Sequence, residues 1–554
     1  MIVINFNKPE FEYDVHSMVK AFFAKEEVEM YYICSPEEVE RKNVACTHRE
    51  LGNVARTQEV TSNKANAADA GCSVACTESN GTADKTGVTD QSDVSSDDNC
   101  NLEQVFYIDY LENKISIKWT IGADKLYARD FEVDFSDRKE TKNKLKQNLY
   151  DLLKEGTDRE LPWGTLTGIR PTKIPMKLME EGHSDEEIFQ YMKETYFATD
   201  EKIALSIDIA KREKALLSKI DYENGYSLYI GIPFCPSTCL YCSFTSYPLT
   251  VWSKKVDAYL DALEKEITFT AAKFYHKKLN SIYIGGGTPT TLNAKQLDRL
   301  IRKIKCSFDL QHCVEFTVEA GRPDSITRDK LEVLRKHGIV DRISINPQTM
   351  KQETLDLIGR HHTVEQIKES FMMAREVGFE NINMDLIMGL PQENIEDVRN
   401  TMEELKALDP DNITIHSLAI KRAARLNIFK EHYKDMEMIN TQEHMDLCAD
   451  YCKEMGLEPY YLYRQKGMAG NMENVGYAKE GKAGVYNILI MEEKQTIMAL
   501  GAGATTKFVL PEINPDGSHR IERVENVKDV KNYLERVDEM IERKIRKMEE
   551  LRWH

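Results

Sequence analysis

From Tyr226 onward the chain alternates short apolar runs with longer amphipathic ones, and this alternation limits the fold more than any other feature. Candidate strands lie at 226–232, 281–285, 314–318, 340–345, 380–386 and 412–416. Helical patterns at Lys254–Ala272, Ala294–Lys305, Asp329–His337 and Val364–Val377 separate several of them. Parallel strands need crossovers of this length, and the crossover helix packs back with one hand. Six such repeats in about two hundred residues suit a parallel, barrel-like sheet with outer helices. A doubly wound open sheet satisfies the same pattern. In either case the working residues belong at the C-terminal ends of the strands.

The first strand end carries the least ordinary residues. An apolar run from Tyr229 to Phe234 leads into Cys235, Cys239 and Cys242, three cysteines in eight residues. Three thiolates on one loop can hold three corners of an iron–sulfur cube and leave the fourth iron open. Zinc is the bland alternative, but it takes four ligands, usually from a second Cys or His pair, and none follows nearby. Buried free thiols are the third reading.

Later strand ends are also polar. Gly285, Gly286 and Gly287, followed by Thr288, let backbone amides approach a small ligand, and they match neither a dinucleotide fingerprint nor a phosphate loop. Glu319 follows the third strand, Asn346 and Gln348 the fourth, then Arg360 and His362, with Asp385 in the fifth. Singly, each reads as a cap or a surface charge. Together, beside apolar strand residues, they read as ligands for a charged, hydroxylated small molecule.

Composition sets outer bounds. A chain of 554 residues exceeds one core, and a formal charge of −18 disfavours nucleic acid and anionic membranes as partners. No apolar run is long enough to span a bilayer, and the first residues lack the order of a signal peptide, so a cytoplasmic location is expected. Twelve cysteines in this length do not make a disulfide scaffold. Residues 1–140 read as a small α+β domain interrupted at about 36–100 by a segment without aromatic residues, expected to be disordered. Its Cys46, Cys72, Cys76 and Cys100 lack an apolar shell and read as incidental. Residues 141–220 read as a helical linker region. Within it a Pro- and Gly-rich turn carries Trp163, Arg170 and Lys173, an anion grip or an ordinary helix start.

The Cys235-x3-Cys239-x2-Cys242 motif, with Tyr229 and Ile232-Pro233-Phe234 before it, resembles the cluster motif of radical S-adenosylmethionine (SAM) enzymes. Within that superfamily the chain is similar to oxygen-independent coproporphyrinogen III dehydrogenases of the HemN/HemZ type, especially the HemZ branch. The likeness covers roughly 160–540 and is strongest from 226 to 426. It implies a partial (β/α)6 barrel over 221–426, with a mostly helical, substrate-covering domain over 427–554. It implies a [4Fe-4S] cluster on Cys235, Cys239 and Cys242. It also implies SAM held by Tyr229, Phe244, Gly285, Gly286, Gly287, Thr288, Glu319, Gln348, Arg360 and Asp385.

The reaction implied is cleavage of SAM by one electron, then oxidative decarboxylation of two propionates to vinyl groups, giving protoporphyrinogen IX. Reduced flavodoxin or ferredoxin is the implied electron donor, a tetrapyrrole the substrate, and a monomer the expected state. Arg170, Lys173, Lys421, Arg422, Arg425 and Arg464 are candidate contacts for its carboxylates, with surface charge as the plain alternative. Aromatic Tyr460, Tyr461 and Tyr463 suit a flat ring. Two positions depart from the better-known relatives: Gly231 replaces a His, and Phe244 a further Cys. A radical SAM tetrapyrrole methylase, a haem-degrading enzyme or a haem-binding chaperone would keep the same cluster residues.

Overall fold

The computed structural model describes all residues except Lys25, 33–103, Ile169, Thr245, Arg422, 430–432, 434–435, 466–467, 469–471, 515–517 and His554. The expected insertion at 36–100, with its four cysteines, and the candidate Arg422 therefore lie outside the described residues. The chain forms two compact units, Met1–Glu160 and Leu161–His554.

In the first unit β1 (Ile2–Phe6) lies between β2 (Val28–Tyr32) and β3 (Gln104–Tyr110), parallel to both. Antiparallel β4 (Lys114–Ile121) and β5 (Lys125–Glu132) complete a five-stranded sheet. Helix Arg138–Thr157, capped by Asp137, belongs to this unit rather than to a linker. Its Tyr150 packs edge-on against Phe22 at 5.5 Å. Its Gly156 lies so close to Trp119 that a Cβ would fall 2.2 Å from the indole.

The second unit is built on an eleven-stranded sheet. Its parallel strands are β6 (Gly225–Ile232), β9 (Lys278–Gly286), β10 (Glu315–Gly321), β11 (Arg342–Gln348), β12 (Ile382–Met388) and β13 (Asn412–Ser417). Two short strands, β7 (Phe234–Cys235) and β8 (Tyr247–Pro248), pair apart from it. Each strand from β6 to β13 neighbours the next in sequence, with no reversal of direction along the sheet. That winding is barrel-like and excludes the doubly wound alternative.

The crossover helices begin where the sequence supplies caps. Asn293 with Gln296, Thr363 with Gln366 and Asn394 with Asp397 form capping boxes. Gly378, at φ +97°, ends helix Val364–Val377 in the left-handed region that a glycine enters freely.

The C-terminal region differs from the expected mostly helical cover. Besides three longer helices it supplies five strands to the same sheet: β14 (Glu458–Tyr463), β15 (Asn474–Ala478), β16 (Thr496–Leu500), β17 (Thr505–Ile513) and β18 (His519–Glu525). β15 pairs antiparallel with β13, and β16 lies parallel to β6. β14 and β18 form the two edges, so the sheet is open. Residues 161–220 are likewise no linker, because Trp163, Leu166, Ile188, Ile203 and Ile207 enter the apolar core of the strands.

Helix Val530–Glu550 is fastened to the sheet by a buried charge cluster. Lys544 donates to Glu266 at 2.6 Å, both side chains fully buried. Tyr533, at 2.5 Å, and the Gly501 amide, at 2.8 Å, donate to the other carboxylate oxygen. Among the described residues no helix is long and apolar enough to cross a membrane.

Candidate active site

Successive side chains of a strand point to opposite faces, and here the two faces differ in chemistry. Phe316, Val318, Ile343, Ile345, Met384, Leu386, Ile413 and Ile415 enter the apolar core. Residues between them, including Glu319, Arg342, Asn346, Asn383, Asp385, Thr414 and His416, line a cavity of about 550 Å³. A packed barrel fills its lumen with branched apolar side chains. This lumen is open and carries a row of polar side chains among aromatic and aliphatic ones, as a site for a small polar ligand requires.

Cys235, Cys239 and Cys242 line the same cavity as free thiols. Their loop is held from several sides. Leu240 N donates to Ile358 O at 2.9 Å, and Ser237 Oγ to Gly359 O at 3.0 Å. Arg322 binds Ser237 Oγ at 2.7 Å and reaches Cys239 Sγ at 3.6 Å, while Asp324 holds it by a 2.7 Å ion pair. Thr288 Oγ1 stands 3.5 Å from Cys235 Sγ.

Burial pushes the Cys242 thiol up to about 11 and raises Cys235 as well. Neither ionises at neutral pH without positive charge, which the irons of a cluster supply. Among the described residues no three His, Cys, Asp or Glu side chains converge closely enough for one ion. A cube takes each of three thiolates on its own iron.

The polar strand ends expected to hold SAM gather around these thiols. Tyr229, Phe244, Gly286, Gly287, Thr288, Glu319, Gln348, Arg360 and Asp385 all line the cavity, Phe244 at 75% exposure. Gly285 does not line it but leaves room for Tyr283, whose ring a Cβ would approach to 2.8 Å. Gln348 sits at φ +72°, a strained conformation for a side-chain-bearing residue, and its buried Oε1 has no hydrogen-bond partner. Arg360 donates to the carbonyls of Asn346 and Pro347 at 2.5 and 3.1 Å, which leaves its Nε without a partner. These unmatched atoms are a donor and an acceptor available to a ligand.

Glu319 accepts from Tyr283 and, at 2.8 Å, from Asn346. Burial, then the nearby Asp385 carboxylate, push its carboxyl up to about 7. Asp385 accepts from Asn383 at 2.7 Å and stands 3.9 Å from His416 Nε2. Tyr486 on helix Val485–Glu492 stacks on Tyr283 at 4.7 Å, and Tyr283 on Tyr229 at 6.4 Å, so tyrosines wall one side. At Gly231 a Cβ would come within 3.3 Å of Leu500 O, a space that suits the glycine found there.

The candidate carboxylate contacts divide. Lys421 is exposed and lines the cavity; Arg425 is exposed but does not line it. Lys173, half-buried, opens helix Lys173–Glu180 and is not a lining residue. Arg170 pairs with Glu493 at 2.5 Å and donates to Met491 O. Arg464 is 4% exposed, donates to Leu166 O at 2.5 Å and lies 5.8 Å over the Trp163 ring. Trp163 itself donates to Glu473, which also receives Lys202 at 2.7 Å. Arg170, Arg464 and Trp163 are thus internal supports and not cavity contacts, a correction to the sequence expectation. Tyr461 and Tyr463 do line the cavity; Tyr460 does not. Tyr283, Arg322 and Arg342 escaped sequence reasoning, although alternate polar residues within β10 to β13 mark the inward row.

The radical SAM superfamily model matches residues 229–405. The chain is 40% identical over 437 residues to the oxygen-independent coproporphyrinogen-III oxidase-like protein HemZ of Bacillus subtilis, covering 78% of this chain and 86% of that one. Heme chaperone HemW of Bacillus subtilis is 41% identical over 199 residues, 35% of this chain and 51% of its own. The oxygen-independent coproporphyrinogen III oxidase of Escherichia coli is 32% identical over 228 residues, 41% of this chain and 49% of its own.

Proposed function

Because the chain belongs to the radical SAM family of HemZ-type, coproporphyrinogen-III oxidase-like proteins, we propose that it oxidatively decarboxylates propionate side chains of coproporphyrinogen III. The observation that carries this reading is a single cavity containing three thiols and a polar inward row. The cofactors of the family are a [4Fe-4S] cluster and SAM. When bound, they supply one-electron chemistry that removes a hydrogen atom from an unactivated carbon.

Cys235, Cys239 and Cys242 would hold the cluster, and Arg322 steadies their loop. Glu319 and Asp385 offer acceptors for hydroxyl groups, Gln348 Oε1 a further acceptor and Arg360 Nε a donor. The tyrosine wall excludes water from the reacting carbon. Each propionate loses one hydrogen atom, carbon dioxide and one electron, and a vinyl group remains. Reduced flavodoxin or ferredoxin provides the electron for SAM cleavage, and a separate oxidant accepts the electron that leaves the substrate.

Anaerobic incubation of reconstituted protein with SAM, a strong reductant, an electron acceptor and coproporphyrinogen III tests the reading. Two successive losses of about 44 mass units, one carbon dioxide each, are expected. SAM cleavage without decarboxylation would remove the substrate assignment. The likeness to a heme chaperone favours a second reading, tetrapyrrole binding without turnover. Stable, unmodified tetrapyrrole in the same assay would select it.

A further inference from the structure

Arg342 opens β11, is 1% exposed and lines the cavity that holds the thiols. Its Nε and Nη2 atoms have no hydrogen-bond partner. A guanidinium stays charged at any working pH, and a buried one without acceptors is a costly arrangement.

The neighbouring acceptors each receive another donor. Glu315 accepts from Thr317 at 2.9 Å and from the Val485 amide. Tyr283 turns its hydroxyl to Glu319, and Asp385 receives Asn383. Tyr460 Oη receives Asn487 at 3.4 Å. A Cβ on Gly484 would lie 3.5 Å from the guanidinium carbon, so backbone packs against this group without bonding to it.

Gln348 closes the strand that Arg342 opens, six residues and roughly 20 Å further along. Both line the one cavity, which therefore runs from the cluster loop down to an unsatisfied arginine fork. The fork matches both oxygens of a carboxylate.

We infer that the deep end of the cavity is a carboxylate subsite, in which Arg342 grips a propionate of the tetrapyrrole that is not the one reacting. This rests on the proposed function and adds the group that orients its substrate. A four-carboxylate ring that reacts at two positions needs a hold on a third. An arginine at the opposite end of β11 from Gln348 provides one without competing for the reacting carbon.

The test measures anaerobic binding of coproporphyrinogen III and of its uncharged tetra-N-methylamide to reconstituted wild type, Arg342→Gln and Arg342→Lys. Iron content and SAM affinity are measured in parallel. Wild type should prefer the acid at least tenfold. Arg342→Gln should lose about that factor for the acid and less than twofold for the amide, with SAM affinity and iron within twofold. Arg342→Lys, which keeps the charge but not the fork, should fall between, and it decides if Arg342→Gln does not load iron.

Equal binding of the acid by wild type and variants overturns the subsite and leaves the proposed function standing. Equal losses for acid and amide overturn it too, since Arg342 then only shapes the cavity. Loss of SAM affinity with unchanged porphyrinogen binding assigns the fork to the cofactor and also overturns it. Failure of wild type to bind either porphyrinogen overturns the proposed function and the subsite with it.

Discussion

A Cβ on Gly287 would stand 3.0 Å from the Sγ of Cys235. It would lie closer still, at 2.6 and 2.8 Å, to the carbonyl oxygens of Phe234 and Ile232. The amides of Gly287 and Thr288 donate to those carbonyls, both at 2.7 Å. The end of β9 is therefore laced to the cysteine loop through a gap that holds no side chain.

Gly287→Ala should push that lacing apart. Overpacking costs about 1–3 kcal/mol, which is roughly five- to 150-fold in affinity when it falls on a binding loop. Reduced iron content after reconstitution and weaker SAM binding by calorimetry are expected. Gly168→Ala, where a Cβ meets nothing within 4 Å, is the control and should change neither.

Cys239 is the buried member of the three thiols. Reconstituted wild type should carry about four irons per chain, and Cys239→Ser should lose most of them together with SAM cleavage. Iron and sulfide assays under anaerobic conditions check this. Full iron loading after replacement of all three cysteines would refute the cluster assignment.

Glu319 gives the cofactor-free protein a pH signature. Its carboxyl, raised to about 7 by burial and then by Asp385, binds a proton more tightly in the folded chain than in the unfolded one. The resulting stability is full below the unfolded value of about 4.3 and is lost as pH rises through 7. Glu319→Gln removes the titration. Between pH 5 and pH 8 the variant should gain about 1–2 kcal/mol relative to wild type, the full linkage being reduced by water in the cavity. Denaturant midpoints that move in parallel across that range would contradict it.

Arg464 and Lys421 were one class in the sequence and should behave as two. Arg464→Leu strips a buried cation from the Leu166 carbonyl and from the neighbourhood of Glu473, whose carboxyl is held below its usual range. A stability loss on the order of 3 kcal/mol is expected, with little change in tetrapyrrole affinity per folded molecule. Lys421→Met should leave the melting temperature in place and weaken binding up to about fivefold, as an exposed charge does.

Much of the barrel was legible because its signals are local. The expected helix 364–377 is the observed one, since Thr363, Gln366 and Gly378 bracket it in the sequence. The expected strand 412–416 became Asn412–Ser417 for the same reason: a short apolar alternation set off by an Asp-Pro-Asp turn. The C-terminal strands were not legible. β14 contains Pro459, and β16 is five residues long with its parallel partner β6 far away in sequence.

The site divides along the same line. Cysteines, glycines and strand-end carboxylates announce their chemistry by type and spacing. Whether an arginine faces a cavity or a distant carbonyl depends on tertiary contacts, so Arg464, expected at the substrate, turns to the Leu166 carbonyl, and Arg342, which nothing in the sequence marks, lines the cavity.

The pairing of β6 with β16 also sets an order in time. β6 carries the cysteine loop at its end, yet its neighbour on one side is β16, encoded more than half a barrel later. On a ribosome adding about 5–20 residues per second, β6 emerges tens of seconds before β16 does. Through that interval one edge of β6 has no backbone partner, and neither Lys544 nor Tyr533 has reached Glu266. The strand that bears the cysteine loop is therefore made well before its partner and secured last, so iron offered to the nascent chain meets a loop whose support is still being synthesised.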